Sequence, residues 1–331
     1  MAQRGSCTLF IKNWESIIDL NRYITSEGKP AENFQIAFAR FLYNEERHLR
    51  SQSVDGWKTF SLLDEQAQKV LAQIHFYVEG IFASSPYKAP FGSIEFNDDL
   101  SPDFLFQFLI DVEQRLKSYG VKKIMIKDAP QIYRQEQAAL LSVVLISLGF
   151  RVLKSEINSS IVIDEIQWEN KISYAELKRL NKCKKEELEF RFLSNNKIEE
   201  VYHFIQTCRQ ERNASLSMTL AELKNTILFC SEDFLLFSVF QKDKMIAAAI
   251  TIKVNNEILY DFYHAHIKEA DQLSPVVMLI DGIYSYCQKN NFKLLDLGTS
   301  MLDDKINYSL LNFKKQLGAV SSMKLTFEKE L

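Results

Sequence analysis

Disulfide chemistry is the first thing this sequence is not equipped for. Its five cysteines (Cys7, Cys183, Cys208, Cys230, Cys287) are odd in number and scattered, and none falls in a CxxC spacing. That excludes a disulfide framework and a zinc ribbon and fits a reducing compartment. The opening "MAQRGSCTLFIKNW" has no apolar stretch of the kind a secretory leader carries. No run of about 18 apolar residues is present to span a membrane, so the expectation is a cytoplasmic protein. Charge of one sign is missing too: a net −3 over 331 residues gives the whole chain no nucleic-acid signature, and DNA is not expected as a partner. No GxSxG elbow, P-loop, HExxH or Rossmann glycine triplet occurs, which leaves hydrolase, kinase and dehydrogenase readings without support.

What the chain does have is apolar material and internal order. With 47% hydrophobic and 25% charged residues it can bury large cores, and its length suits two domains. The two halves read alike. "FSLLDEQAQKVLAQIHFYV" (60–78) and "FSVFQKDKMIAAAITIKV" (237–254) are strand–turn–strand patterns. A further strand follows each, "YKAPFGSIEF" (87–96) and "EILYDFYHAHI" (257–267). Ser101-Pro102 and Ser274-Pro275 then start helices, serine as cap and proline at the first helical position. Those helices end at "SYG" and "KNN", where Gly or Asn suits the left-handed cap. Strands "VKKIMIKDA" and "FKLLDLGT" follow, then helices with a Leu pair and a terminal Leu-Gly, and "SSIVID" and "MKLTF" close the halves. The segment between them, 164–190, carries the charge run "KRLNKCKKEE", read as the solvated face of a helix.

One residue breaks the pattern. In the last helix Leu310, Leu311, Phe313 and Leu317 fall on one arc at about 100° per residue, and Lys314 lies near its middle. The equivalent position in the first half is Val144. A duplicated scaffold that accepts valine there does not need lysine for packing, which favours a lysine held in a cleft over one that merely snorkels.

A hairpin leading to strand–helix–strand–helix–strand resembles the GNAT N-acyltransferase fold. Two such halves, with "F-K-x-x-x-G" (Phe313, Lys314, Gly318) after "LLDLGTS", resemble the FemAB-like peptidoglycan aminoacyltransferases. "APFGSIEF" is similar to a first-domain strand of that family. The resemblance implies an α+β fold of two tandem GNAT-like domains, 1–165 and 166–331, each a mixed, mostly antiparallel sheet flanked by helices. It implies a bacterial acyltransferase that moves an acyl or aminoacyl group from acyl-CoA or aminoacyl-tRNA to an amine, such as a cell-wall precursor or another small molecule. No further cofactor is expected. Two features depart from the family: its helical-hairpin arm has no counterpart, and "IKEADQLSP" and "FNDDLSP" carry none of the glycines that let backbone amides wrap a CoA pyrophosphate. The alternatives are therefore a catalytically silent GNAT-fold binding module and an unusual acyl-CoA N-acetyltransferase.

The resemblance puts Lys314 in the reaction cleft, where it would stabilise an oxyanion or a donor phosphate. His264 and His266, by period-two alternation, share a strand face with Tyr260 and Phe262 and are candidate bases. No third ligand of suitable spacing accompanies them, so they are not read as a zinc site. Asp296, Thr299 and Ser300 end the neighbouring strand, and Asn307 and Tyr308 start the lysine helix, with Tyr308 a candidate general acid. In the first half Ser93 alternates with Glu95, a candidate to orient the acceptor amine.

Overall fold

The computed structural model describes residues 23–331; Cys7 and the opening segment lie outside the described residues. The first half contains β1 (Tyr23–Glu27), β2 (Gln35–Ile36), α1 (Glu46–Gln52), β3 (Trp57–Asp64), β4 (Lys69–Glu79), β5 (Phe82–Ser85) and β6 (Glu95–Phe96). It continues through α2 (Pro102–Ser118), β7 (Lys123–Lys127), α3 (Gln135–Ser147) and β8 (Arg151–Val162). Next come α4 (Tyr174–Lys185), β9 (Leu188–Leu193), α5 (Ile198–Gln210) and α6 (Leu220–Cys230). The second half repeats the pattern with β10 (Phe234–Gln241), β11 (Lys244–Lys253), β12 (Ile258–His266), α7 (Pro275–Lys289) and β13 (Leu294–Thr299). The short pair β14 (Met301–Leu302) and β15 (Lys305–Ile306) leads to α8 (Tyr308–Gln316) and β16 (Val320–Glu330).

All the described strands except the β14–β15 pair join into one sheet in the order β1-β3-β4-β5-β7-β16-β8-β13-β12-β11-β10-β9, with β2 and β6 attached to β4. Its two ends match. Each has an antiparallel hairpin and a third strand that runs parallel to a fourth, β5 to β7 and β12 to β13. The closing strands are exchanged. Sequence patterning has "SSIVID" and "MKLTF" each closing its own half, but β16 pairs with β7 of the first half, β8 pairs with β13 of the second, and β8 and β16 pair with each other. Each exchanged strand carries side chains into the other half's core: Phe327 of β16 packs among α2 and α3 residues such as Phe108 and Leu145, and Ile161 of β8 packs with Leu279 and Ile283 of α7. Patterning cannot foresee this, because an exchanged strand shows the same alternation as one that stays home.

Three further expectations are corrected. The strand after the first hairpin is β5; most of 87–96 is irregular, because Pro86 and Pro90 have no N–H for a ladder and Ser93 has a positive φ of 79°. Neither Ser101 nor Ser274 caps its helix through its side chain, although proline does hold the first helical position in both. Helices α5 and α6, absent from the sequence reading, cover the β10–β12 face opposite α7. The helix ends at Gly120 (φ 80°) and Asn291 (φ 60°) are left-handed as read. The charge-run segment is α4, with Leu180 and Cys183 buried and most of its lysines exposed. Among the described residues no helix is long and apolar enough to cross a membrane.

Because Phe327 is fully buried in a core built by the other half, Phe327→Ala should lower stability by about 3–5 kcal/mol. Denaturant unfolding should remain one cooperative transition for both halves. Two separated transitions, with only one of them moved, would contradict the exchange.

Candidate active site

The parallel pairing of β12 and β13 covers only Ile258–Tyr260 against Leu294–Asp296, and the strands part beyond it. Two local features widen the gap. In β12 the register against β11 skips Phe262, with Asp261 opposite Thr251 and Tyr263 opposite Ile250. In β13 the register against β8 slips between Asp296 and Thr299, where Gly298 has a φ of 75°. Such bulges bend a strand and re-aim its side chains. Two cavities reach the gap. One, of about 1000 Å³, lies between the halves; the other, of about 630 Å³, lies where α5, α7 and α8 meet the end of β12. Tyr260, Phe262, Gly298 and Thr299 line both.

The bulge also corrects the histidine assignment. Simple alternation groups His264 and His266 with Tyr260 and Phe262. The skipped residue resets the alternation, so Tyr263 and Ala265 join the core under α5 and α6, and the two histidines line the smaller cavity with Asp261. His264 Nδ1 lies 2.6 Å from Asp261 Oδ2, and its Nε2 has no partner among the described residues. An aspartate that takes Nδ1–H fixes the tautomer that leaves Nε2 as acceptor, the arrangement a general base needs. His266 is committed elsewhere: its Nε2 lies 2.8 Å from Asp271 and 3.2 Å from Arg212. Burial, and then the Arg212 charge, lower its pKa.

Lys314 is 4% exposed. Its Nζ donates to the carbonyls of Gly298 and Thr299, each at 2.9 Å, which leaves one N–H of the ammonium for the cavity it lines. Burial lowers its pKa to about 8, against the opposing pull of Asp296 and Asp261. Val144, its counterpart, is an ordinary core residue of the first half.

Asp296 faces the larger cavity. Its carboxylate accepts from Tyr133 Oη, from Asn158 Nδ2 at 2.8 Å and from its own strand's Gly298 N–H at 2.7 Å. Tyr133 belongs to the turn before α3 and Asn158 to β8, so the first half holds this acid in place. Burial, with the Asp296 charge second, raises the Tyr133 pKa and keeps the phenol a donor.

The remaining candidates are divided between site and scaffold. Thr299 and Phe313 line the smaller cavity. Ser300 is fully buried, and its hydroxyl has no partner. Asn307 caps α8 by accepting from Leu310 N–H. Tyr308 is 68% exposed and outside both cavities, which removes it as a general acid. Glu95 lies outside both as well; it is buried, accepts the Phe41 N–H at 2.6 Å, and burial pushes its pKa up to about 7. The sequence reading missed Tyr133, Asn158, Asp261 and Arg209. Asp261 had a legible signal, a charge inside the aromatic run "YDFYH". Arg209, which lines the smaller cavity, donates only to the His264 carbonyl and has no carboxylate partner among the described residues.

The arrangement is a mixed sheet opened between two parallel strands, with a cavity reaching the opening from either side. The fold is similar to that of several solved structures. FemX superposes with a TM-score of 0.67 at 15% identity, over 88% of this chain and 92% of that one. A protein of unknown function from Bacteroides thetaiotaomicron superposes at 0.57 and 9% identity, over 90% and 94%. L-PGS from Bacillus licheniformis does so at 0.52 and 12%, over 78% and 80%. No family model matches the chain, and no curated protein matches it in sequence.

Lys314→Met should strand two carbonyls and lower stability by about 1–3 kcal/mol, while the exposed Lys315→Met should leave melting unchanged. The Lys314 effect has a sign in pH. Its folded pKa of about 8 lies below its ordinary 10.5, so above pH 8 the folded protein has released a proton that the unfolded chain retains. Stability of the wild type relative to Lys314→Met should therefore rise from pH 8 to 10.5 and be lost as pH falls through 8. Denaturant unfolding at pH 7.5 and 10 measures it; a difference that does not change would show that the ammonium is not desolvated.

Proposed function

We propose that this protein is an N-acyltransferase that receives an activated acyl donor in the smaller cavity and an amine acceptor in the cavity between the halves. The observation that carries the reading is the meeting of the two cavities at Tyr260, Phe262, Gly298 and Thr299, beside Asp296. The acceptor amine, drawn to the fixed charge of Asp296, attacks the acyl carbon through the opening. An N–C bond forms, and the bond from acyl carbon to the carrier's oxygen or sulfur breaks. His264 Nε2 takes a proton from the attacking nitrogen and returns one to the leaving group. The remaining N–H of Lys314 suits the oxyanion that develops on the acyl oxygen.

Donors of the acyl-CoA and aminoacyl-tRNA kinds share an activated acyl carbon and phosphates, which the uncommitted Arg209 guanidinium suits. The turn from Lys268 to Leu273 before α7 contains no glycine, which favours aminoacyl-tRNA over acyl-CoA. A cell-wall precursor amine remains the proposed acceptor class by likeness of fold.

The test is mass-spectrometric detection of an acylated amine after incubation with acetyl-CoA or with charged tRNA and a panel of amines. His264→Gln should lower the rate by about 10²–10⁴-fold with melting unchanged. Equal rates in wild type and variant would remove His264 as the base. No product with either donor would favour the silent binding module.

A further inference from the structure

The wall of the inter-half cavity carries charges that the transfer chemistry leaves unused. Lys127 of β7, Lys324 of β16 and Glu156 of β8 lie on three adjacent strands and line this cavity together. Lys324 stands opposite Glu156 in register, and Lys127 stands opposite Thr326, two residues along β16. Lys324 is 7% exposed. Neither ammonium group has a hydrogen-bond partner or a carboxylate at ion-pair distance among the described residues. Glu156 gives one oxygen to Lys154 at 3.4 Å, and its other oxygen is buried without a partner. The hydroxyl of Tyr43, on the same cavity, is also buried and unpartnered.

A buried and a half-buried ammonium group, with carboxylates nearby but none at ion-pair distance, are costly to keep in a fold. The unpartnered Glu156 oxygen and Tyr43 hydroxyl line the same cavity, and an occupant completes the arrangement. Burial lowers both lysine pKa values, aided by the Lys127 charge for Lys324, which falls to about 8, and by the Lys154 charge for Lys127. Glu156 pulls against this on both, as do Asp296 and Asp128 on Lys324. We propose that Lys127 and Lys324 form an anion seat, so that the amine acceptor also carries a carboxylate or a phosphate. This deepens the acyl-transfer reading and rests on it for the word acceptor. Strand β8 separates the strands of Lys324 and Asp296, which stand opposite Glu156 and Ser160, four residues apart along it, and this puts their backbones about 16 Å apart. The acid and the reacting amine of the occupant are therefore several bonds apart, with the rings of Phe91 and Tyr133 against the part between them.

Calorimetric titration of the full chain with matched pairs tests this without any donor: L-lysine against cadaverine for the carboxylate, phosphoethanolamine against ethanolamine for the phosphate. In at least one pair the acid-bearing member should bind about tenfold tighter or more. That preference should vanish in Lys324→Met and shrink in Lys127→Met, yet persist in Lys324→Arg, a variant that keeps the charge if methionine disturbs the strand. Equal binding within both pairs, no binding of any of the four, or a preference that survives both methionine variants would overturn the seat. A preference without transfer to any amine would sink the acyltransferase reading and leave the seat standing. Transfer to amines with no preference for acids would sink the seat alone.

Discussion

Strands β8 and β16 pair antiparallel in one register from Val320 opposite Ser160 to Thr326 opposite Lys154, then after one slipped residue to Glu328 opposite Arg151, and each belongs by sequence to the half it does not close. A ladder of this length cannot shift by one residue without turning every side chain to the wrong face. The halves are therefore fixed to each other by backbone hydrogen bonds in the middle of the sheet, not by surface contact alone. The positions of Glu156, Asn158 and Lys324 relative to Asp296 follow from that ladder. So does the inter-half cavity, one wall of which these strands supply.

Next to the ladder, the sheet is deliberately incomplete. Strand β8 holds one side of β13, but β12 leaves it after three residue pairs. The backbone groups freed by the parting need partners, and Lys314 supplies two hydrogen bonds to them at Gly298 and Thr299. Lys314 is thus a structural donor and a cavity lysine at once. Three donors hold Asp296 and one histidine holds Asp261, so the charges around the opening are fixed before any substrate arrives, the condition under which electrostatic stabilisation is most effective.

Much of this was legible in the sequence, residue by residue. The element order and the Lys314 anomaly could be read because helical period and a misplaced charge are local signals. The strand exchange could not, because it changes partners without changing pattern. The histidine face was misread because a bulge at Phe262 is one residue of tertiary adjustment that period-two counting cannot register. Lys324 was within reach: "MKLTF" sets a lysine in a strand whose next residues are buried, the same anomaly that drew attention to Lys314. Glu95 misled because a buried acid bonded to a backbone amide looks, in sequence, like one aimed at a substrate. Tyr133 and Asn158 had no local signal, since their role is to reach an acid of the other half.

The central claim is that donor and acceptor approach the opening from different cavities. Ala221 lines the cavity between the halves and Ala214 lines the smaller one, and neither lines both. Steady-state kinetics on Ala221→Trp and Ala214→Trp test the claim most directly. The account predicts that Ala221→Trp raises the KM for the amine alone and that Ala214→Trp raises the KM for the donor alone. Both substitutions raising the same KM would contradict it.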